Sequence, residues 1–325
     1  MSAKTLLIGD IGGTNARFAL ADPNIASFRN ALTLQCAEFP SADDAIRHYL
    51  KTVAADTPDV ICLAAAGPVV NDTIQVTNNH WTLSVRNIAE DFRIAAVRLI
   101  NDFEALAYSI AELSPEHVEP IGQPQQAPLS GDRFNVAVVG PGTGLGTAGL
   151  IRRGAAVYPI VGEGGHIGFA PQSPRQIEIL EVLRDKFGRV SVERLVSGTG
   201  IENIYWALTQ IHGEQHAALS AAEIFANSGD GGDPRATETT QLFFELLGQA
   251  AGDVALALGA ADGVFIAGGI AKRYPEMLRS SGFRQAFENK GRHRAYMERI
   301  ASSLITHAEP GLLGAAYCAR ELSSS

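Results

Sequence analysis

One pattern, met twice, constrains the fold most. Leu6–Leu20 reads LLIGDIGGTNARFAL, and Val136–Leu150 reads VAVVGPGTGLGTAGL. Each is an apolar run, a turn built from glycine and threonine, and a second apolar run. Two paired strands around a tight turn read this way. Pro141-Gly142-Thr143 stands in the second where Gly12-Gly13-Thr14 stands in the first. Two such hairpins about 130 residues apart point to a duplicated architecture. A chain of 325 residues has the length of two ordinary domains. At that size it buries roughly three quarters of its unfolded surface and needs no metal or disulfide staple.

Strands alternate with helices around these hairpins. TLLIGDIG, ARFALAD, DVICLAAAG and AAVRLIND read as strands, and DDAIRHYLKTVA and DFEALAYSIAEL as helices. The second helix places Phe103, Leu106, Ile110 and Leu113 on one face. An α/β class with a mixed sheet in the first half follows. ELSPEHVEPIGQPQQAPLSGDR, rich in Pro, Gln and Gly, marks a linker or a long surface connection. The second half is richer in helix. Ile177, Leu180, Leu183 and Phe187 share a helical face, and Leu242, Leu246, Ala250, Val254 and Leu258 keep a four-residue spacing through a buried segment. GVFIAGGIAKRYPEML reads as a strand, a glycine pair and a helix start. GLLGAAYCARELSSS reads as a small-residue helix suited to close packing against the first half.

Composition removes several function classes. A net charge of −9 argues against a nucleic-acid or anionic-membrane surface, so a polyanionic ligand needs backbone N–H groups and a metal ion to hold it. Cys36, Cys62 and Cys318 show no metal-ligand or disulfide spacing, and Cys62 inside VICLAAAG reads as a buried free thiol. No stretch approaches about 18 apolar residues, which argues against a membrane span. Asp10 interrupts the first apolar run, against a signal peptide. The expectation is a cytoplasmic protein.

Three glycine-rich turns follow apolar strands: Gly9–Thr14, Gly140–Gly146 and Gly268–Gly269. Glycine lets consecutive N–H groups converge on an anion. A single such turn reads first as a plain hairpin, whereas three, two of them with a threonine, favour phosphate binding. There is no GxxxxGK[ST], and Gly144, Gly146 and Gly149 match GxGxxG only by accident, because no helix follows. Asp10 reads equally as a Mg²⁺ anchor between carboxylate and phosphate or as an Asx-turn residue. Asn101-Asp102 reads first as a helix N-cap, and second as a carboxylate at a strand end able to accept a hydroxyl proton. Glu163 and His166 in GEGGHIGFAP lack zinc-ligand company and suit a polyhydroxy ligand; Glu193 could serve likewise or simply be solvated or capping.

Taken together, DIGGTNARFAL, AAAGPV, VTNNHW, LINDFEALAYSI, GPGTGLG, GEGGH…FAP, VERLVSGTG, IAGGI and EPGLLGAAY resemble the bacterial glucokinase family. That family is the hexokinase branch of the actin-like ATPases. The resemblance implies the actin-like ATPase (ribonuclease H-like) fold, with two α/β domains and a cleft between them. It divides the chain into a small domain, residues 1–112 plus 301–325, and a large one, residues 113–300. It implies ATP-dependent phosphorylation of D-glucose to glucose 6-phosphate, with ATP and Mg²⁺ as the donor pair. Asp102 becomes the general base, and Asn101, Asp102, Glu163, His166 and Glu193 the sugar ligands. Gly9, Asp10, Ile11, Gly12, Gly13 and Thr14, with Gly142, Thr143 and Gly144, become phosphate loops. Gly268 and Gly269 fall on the adenosine side, Asp10 holds Mg²⁺ through water, and Asn78 shapes the cleft. Two positions depart from the family pattern: Gly168 replaces an Asp two residues after the histidine, and SGTG replaces SGPG. Both bear on strictness for glucose. The rivals are a kinase for another hexose and a non-catalytic actin-like nucleotide or sugar sensor. A homodimer stays open, since no exposed interface is legible.

Overall fold

The computed structural model describes residues 4–129, 131–214 and 218–324. The chain divides into two compact units. The first takes Met1–Ser114, Pro159–Val161 and His307–Ser325; the second takes Pro115–Tyr158 and Gly162–Thr306.

The first unit is built on the strands β1 (Leu6–Ile11), β2 (Asn15–Ala21), β3 (Phe28–Gln35), β4 (Val60–Ala65), β5 (Thr73–Gln75), β6 (Thr82–Ser84) and β7 (Ala96–Asn101). Its main sheet has the order β3-β2-β1-β4-β7, with β5 and β6 forming a separate ribbon. β1 runs antiparallel to β2 and parallel to β4, which runs parallel to β7. Every residue of β4 is buried, as a strand flanked on both sides requires. The helices are α1 (Ala42–Thr52), α2 (Val85–Phe92) and α3 (Asp102–Ile110). Ser41 and Ser84 cap the first two through their side-chain oxygens. Leu7, Ile11, Phe18, Ile46, Tyr49, Ile61 and Trp81 fill the core.

The last helix, Pro310–Ser324, packs on α3. Its small residues permit the approach, since a Cβ at Gly314 would overlap the Ala105 carbonyl oxygen. Tyr108 and Tyr317 stack with ring centroids 5.2 Å apart. Of the face that the spacing of α3 suggests, Ile110 is buried and Phe103 and Leu106 are half-buried. The buried residues are Ala105, Ala107, Tyr108, Ser109 and Ile110, and Leu113 lies beyond the helix end.

The second unit repeats the plan with β8 (Val118–Pro120), β9 (Arg133–Pro141), β10 (Leu145–Arg153), β12 (Val264–Ile266), β13 (Ser302–Ile305) and, apart from its Pro159–Val161 segment, β11 (Ala156–Gly162). Its sheet order is β11-β10-β9-β12-β13-β8. The first five strands match β3-β2-β1-β4-β7 position for position: the hairpin β9–β10 is antiparallel, and β12 is parallel to both β9 and β13. The duplication expected from the two hairpins is therefore a duplication of sheets. β8 forms within the Pro- and Gln-rich connection and adds an antiparallel edge.

Helices α4 (Pro174–Phe187), α5 (Gly198–Ile211), α6 (Ala221–Ala226), α7 (Pro234–Leu258) and α8 (Gly269–Arg273) follow, with shorter turns up to β13. In α7, Leu242, Leu246 and Ala250 are buried and Val254 and Leu258 pack against the same core. In α4 most of the expected face reaches the core: Leu183 is buried, and Leu180 and Phe187 pack against the same cluster. Ile177 is the exception, 47% exposed, and Gln176 and Ile179 are buried in its place. Gln176 tolerates burial because it accepts from the Gln172 N–H at 2.7 Å and donates to Glu245 at 3.0 Å. Gly144, Gly146 and Gly149 lie in the β9–β10 turn and in β10, and no helix follows them. The three cysteines are buried and free. No helix among the described residues is long and apolar enough to cross a membrane.

Candidate active site

In the first unit the site is assembled by strand register. Ile11 pairs with Ala65, and Ala65 pairs with Asn101. The ends of the parallel strands β1, β4 and β7 therefore lie level, with the outer two about 10 Å apart at ordinary strand spacing. Gly12-Gly13-Thr14, Gly67 and Asn101-Asp102 all leave from this edge, where open α/β sheets bind ligands.

The first turn is closed by its own backbone, Gly12 N–H donating to the Asn15 carbonyl at 2.9 Å. Asn79 holds it from outside, donating through Nδ2 to Gly12 O at 3.2 Å. Gly9 and Ile11 are buried within β1, so they can offer a ligand only backbone. A Cβ at Gly9 would stand 2.7 Å from a Leu63 methyl, which makes this glycine a requirement of strand packing.

Asp10 faces Arg17 across the hairpin at 4.0 Å, and Arg17 in turn meets Glu309 at 3.3 Å. Its turn is closed by backbone hydrogen bonding, not by an Asx side chain. Burial raises the Asp10 pKa to about 6; Arg17 opposes the rise and Glu309 adds to it. A carboxylate so poorly compensated fits a divalent cation.

Asn101 does cap α3, as its local sequence suggests. Its Oδ1 accepts the Phe103 N–H at 2.8 Å while its Nδ2 donates to Gly67 O at 3.0 Å. Gly67 needs to be glycine, with φ +140° and Gln75 O standing 2.8 Å from a Cβ. Asp102 also accepts from Phe103 N–H, at 3.0 Å. Burial, then the charge of Asp10, raise its pKa to about 6 against these hydrogen bonds. The cap reading of Asn101 therefore holds, and Asp102 stands beside it as a partly buried carboxyl at the end of β7.

In the second unit the β9–β10 turn is closed by Gly142 N–H donating to Gly144 O at 2.8 Å. Gly198 N–H, opening α5, donates to Gly142 O at 2.8 Å. Leu145 N–H donates to Glu193 Oε2 at 2.9 Å. Gly268, with φ +92°, crosses the end of β9 so closely that a Cβ would overlap the Pro141 carbonyl oxygen. Beside this crossing lies a cavity of about 210 Å³ lined by Gly142, Ile201, Phe225, Gly269, Ile270 and Tyr274. Phe225 and Tyr274 stack with centroids 3.8 Å apart, and Arg273 adds a charged side chain to a mostly apolar lining.

Glu163, His166 and Glu193 come together. His166 Nε2 lies 3.9 Å from Glu163 Oε2, and its Nδ1 lies 4.0 Å from Glu193 Oε1. The loop that carries the first two is fixed by Thr147 Oγ1, which accepts from Gly164 N–H at 3.1 Å, and by Arg189, which donates to His166 O at 2.7 Å. No group of three or more His, Cys, Asp or Glu among the described residues is arranged to hold a metal. Gly168 has open space where a Cβ would stand. In the SGTG segment Ser197 caps α5, accepting from Gly200 N–H at 3.0 Å, and Gly200 lies too close to the Leu195 backbone for any side chain. Sequence reasoning missed Arg17, Asn79 and Thr147. Only Arg17 had a usable signal, as the cross-strand partner of Asp10 in the hairpin.

Two sheets of one order, each presenting a glycine turn at the carboxyl ends of parallel strands, define an actin-like ATPase fold. The family model described as Glucokinase matches residues 7–322. A glucokinase of Xylella fastidiosa (strain 9a5c) is 44% identical over 322 residues, covering 97% of this chain and 95% of its own. The crystal structure of a glucokinase from an Antarctic psychrotroph superposes with TM-score 0.87 at 37% identity, covering 99% of both chains. A Balamuthia mandrillaris glucokinase in complex with glucose gives TM-score 0.77 at 25% identity, over 98% of this chain and 94% of that one. The chain belongs to the glucokinase family and is an enzyme of that class, a kinase that phosphorylates glucose.

Proposed function

We propose that the reaction runs through Asp102 as general base, which accepts the proton of the glucose 6-hydroxyl as that oxygen takes the γ-phosphoryl group of ATP. The observation that carries this is the position of Asp102 at the end of β7, with its pKa raised to about 6 by burial and by Asp10. A base of that pKa is ionised at neutral pH and still basic enough to receive a proton late in the transfer. Asn101, Glu163, His166 and Glu193 hold the sugar hydroxyls. Gly12–Thr14 and Gly142–Gly144 present N–H groups to the phosphates, and the apolar cavity beside Gly268–Gly269 takes the base of ATP.

Asp10 is the residue that would hold Mg²⁺, through water, and its raised pKa fits a cation partner. Bound there, Mg²⁺ neutralises charge on the phosphates. Arg17 and Glu309 fix the direction of the Asp10 carboxylate. Most of the rate enhancement then comes from positioning and preorganised N–H groups. Three unpaired, buried thiols suit work in a reducing cytoplasm.

A coupled ADP-release assay over glucose, mannose, fructose and glucosamine, with ATP and Mg²⁺, tests the reading. Glucose should give the highest kcat/KM. A higher value for another hexose would move the assignment to that sugar, and nucleotide binding without sugar-stimulated ADP release would leave a sensor.

A further inference from the structure

The two carboxylate oxygens of Glu193 face different partners. Oε1 lies 4.0 Å from His166 Nδ1, toward the proposed sugar ligands. Oε2 accepts from Leu145 N–H at 2.9 Å, directly after the Gly142-Thr143-Gly144 turn. The fit on that side leaves no slack, since a Cβ at Gly144 would stand 2.5 Å from the same Oε2. Glu193 itself is well anchored. It lies in a short turn, Val192–Arg194, whose Val192 N–H donates to Ile167 O at 2.9 Å; Ser197 Oγ donates to Glu193 O at 2.8 Å.

We infer that Glu193 is a positioning residue for the nucleotide as well as a ligand for the sugar. One oxygen fixes the β9–β10 turn in the shape that presents its N–H groups, and the other remains for a glucose hydroxyl. The inference rests on the proposed roles of that turn and of the sugar cluster. A turn of two glycines has wide conformational freedom, so an external acceptor at its exit selects one shape and lowers the ordering cost when phosphate binds. Glu193 is the side chain that supplies this acceptor; the other tie on the turn, from Gly198 N–H, reaches its entrance.

Gln and Ala substitutions separate the two roles. Glu193→Gln keeps a side-chain oxygen for Leu145 N–H but loses the charge facing His166 and the sugar. Glu193→Ala loses both. The probe is AMPPNP with Mg²⁺, titrated calorimetrically into the full chain without sugar, alongside the glucose KM in the kinase assay. Thermal unfolding of each variant confirms that it is folded. Glu193→Gln should raise the glucose KM while leaving the AMPPNP Kd within about twofold of wild type. Glu193→Ala should raise the glucose KM and weaken AMPPNP about 5- to 10-fold, the loss of one ordinary hydrogen bond. His166→Ala, which removes only the sugar side, should leave the AMPPNP Kd unchanged.

Equal AMPPNP affinity in wild type and Glu193→Ala overturns the inference, and so does an equal loss in the Gln and Ala variants. Failure of the glucokinase reading shows separately, as absence of glucose-dependent ADP release by the wild type.

Discussion

Replacing Asp102 by Asn should raise stability while removing most of the turnover. In the folded protein the Asp102 pKa moves from 3.8 to about 6, chiefly through burial and then through Asp10. Each pKa unit corresponds to about 1.4 kcal/mol, so the ionised carboxylate costs the fold about 3 kcal/mol. The sign follows from proton binding. Between about pH 4 and pH 6 the native state holds a proton that the unfolded state has lost, so stability falls as pH rises through that window. The cost is absent below about pH 4 and complete above about pH 6. Asn carries no charge at any pH, and its side-chain oxygen can still accept from Phe103 N–H, as Asp102 does at 3.0 Å. At pH 7.5, in magnesium-free buffer, Asp102→Asn should therefore gain about 1–3 kcal/mol, which appears as a higher Tm. At pH 4 the two proteins should unfold at nearly the same temperature. Glucose and AMPPNP binding should persist, while kcat falls about 10²- to 10⁴-fold with the loss of the base. A Tm difference of the same size at both pH values would refute the electrostatic argument, and wild-type turnover would remove Asp102 from the chemistry.

The same raised pKa predicts the acid limb of the wild-type rate. Below about pH 6, kcat/KM should drop more steeply than tenfold per pH unit, because Asp102 and Asp10 both protonate there, and Asp102→Asn should keep only the shallower limb of Asp10. Gly314→Ala should destabilise the protein by about 1–3 kcal/mol, because the added methyl overlaps the Ala105 carbonyl oxygen and forces the last helix off α3. Chemical denaturation measures this loss; an unchanged midpoint would mean that the helix contact is looser than the structure has it.

Much of this was legible in sequence, and the failures share physical causes. The hairpins and the parallel strands β1, β4 and β7 read well because each is a mostly apolar run, with β1 and β4 buried almost throughout and β7 buried at Leu99 and Ile100. β3, FRNALTLQ, escaped because it is an edge strand whose residues are mostly exposed, so no alternation survives in its composition. β8 hid among prolines and glutamines for the same reason. On α4 only Ile177 was misplaced, because the buried Gln176 beside it looks polar until its two side-chain partners are known. Within the site, Asp10, Asn101 and Asp102 were visible as polar residues ending apolar strands. Asn79 and Thr147 were not, since each acts through a contact across the chain, Asn79 on Gly12 O and Thr147 on Gly164 N–H; Arg17 was legible only through its pairing with Asp10 in the hairpin.

The repeated sheet order lets one turn pattern carry different residues in each unit. In both units the glycine turn leaves the central antiparallel hairpin, and the neighbouring parallel strand ends beside it. The first unit places carboxylates at that edge, with Asp10 and Asp102 close enough for one to raise the pKa of the other. The second unit places glycine at the matching edge. Gly268 lies against Pro141 in a crossing that any Cβ would block, and an apolar cavity opens beside it. Charge at the first edge suits a cation and a proton beside its glycine turn; the bare backbone and aromatic lining at the second suit phosphate and base. The duplicated scaffold thus supplies placement, and the few residues at the strand ends decide which part of the phosphoryl transfer each unit can serve.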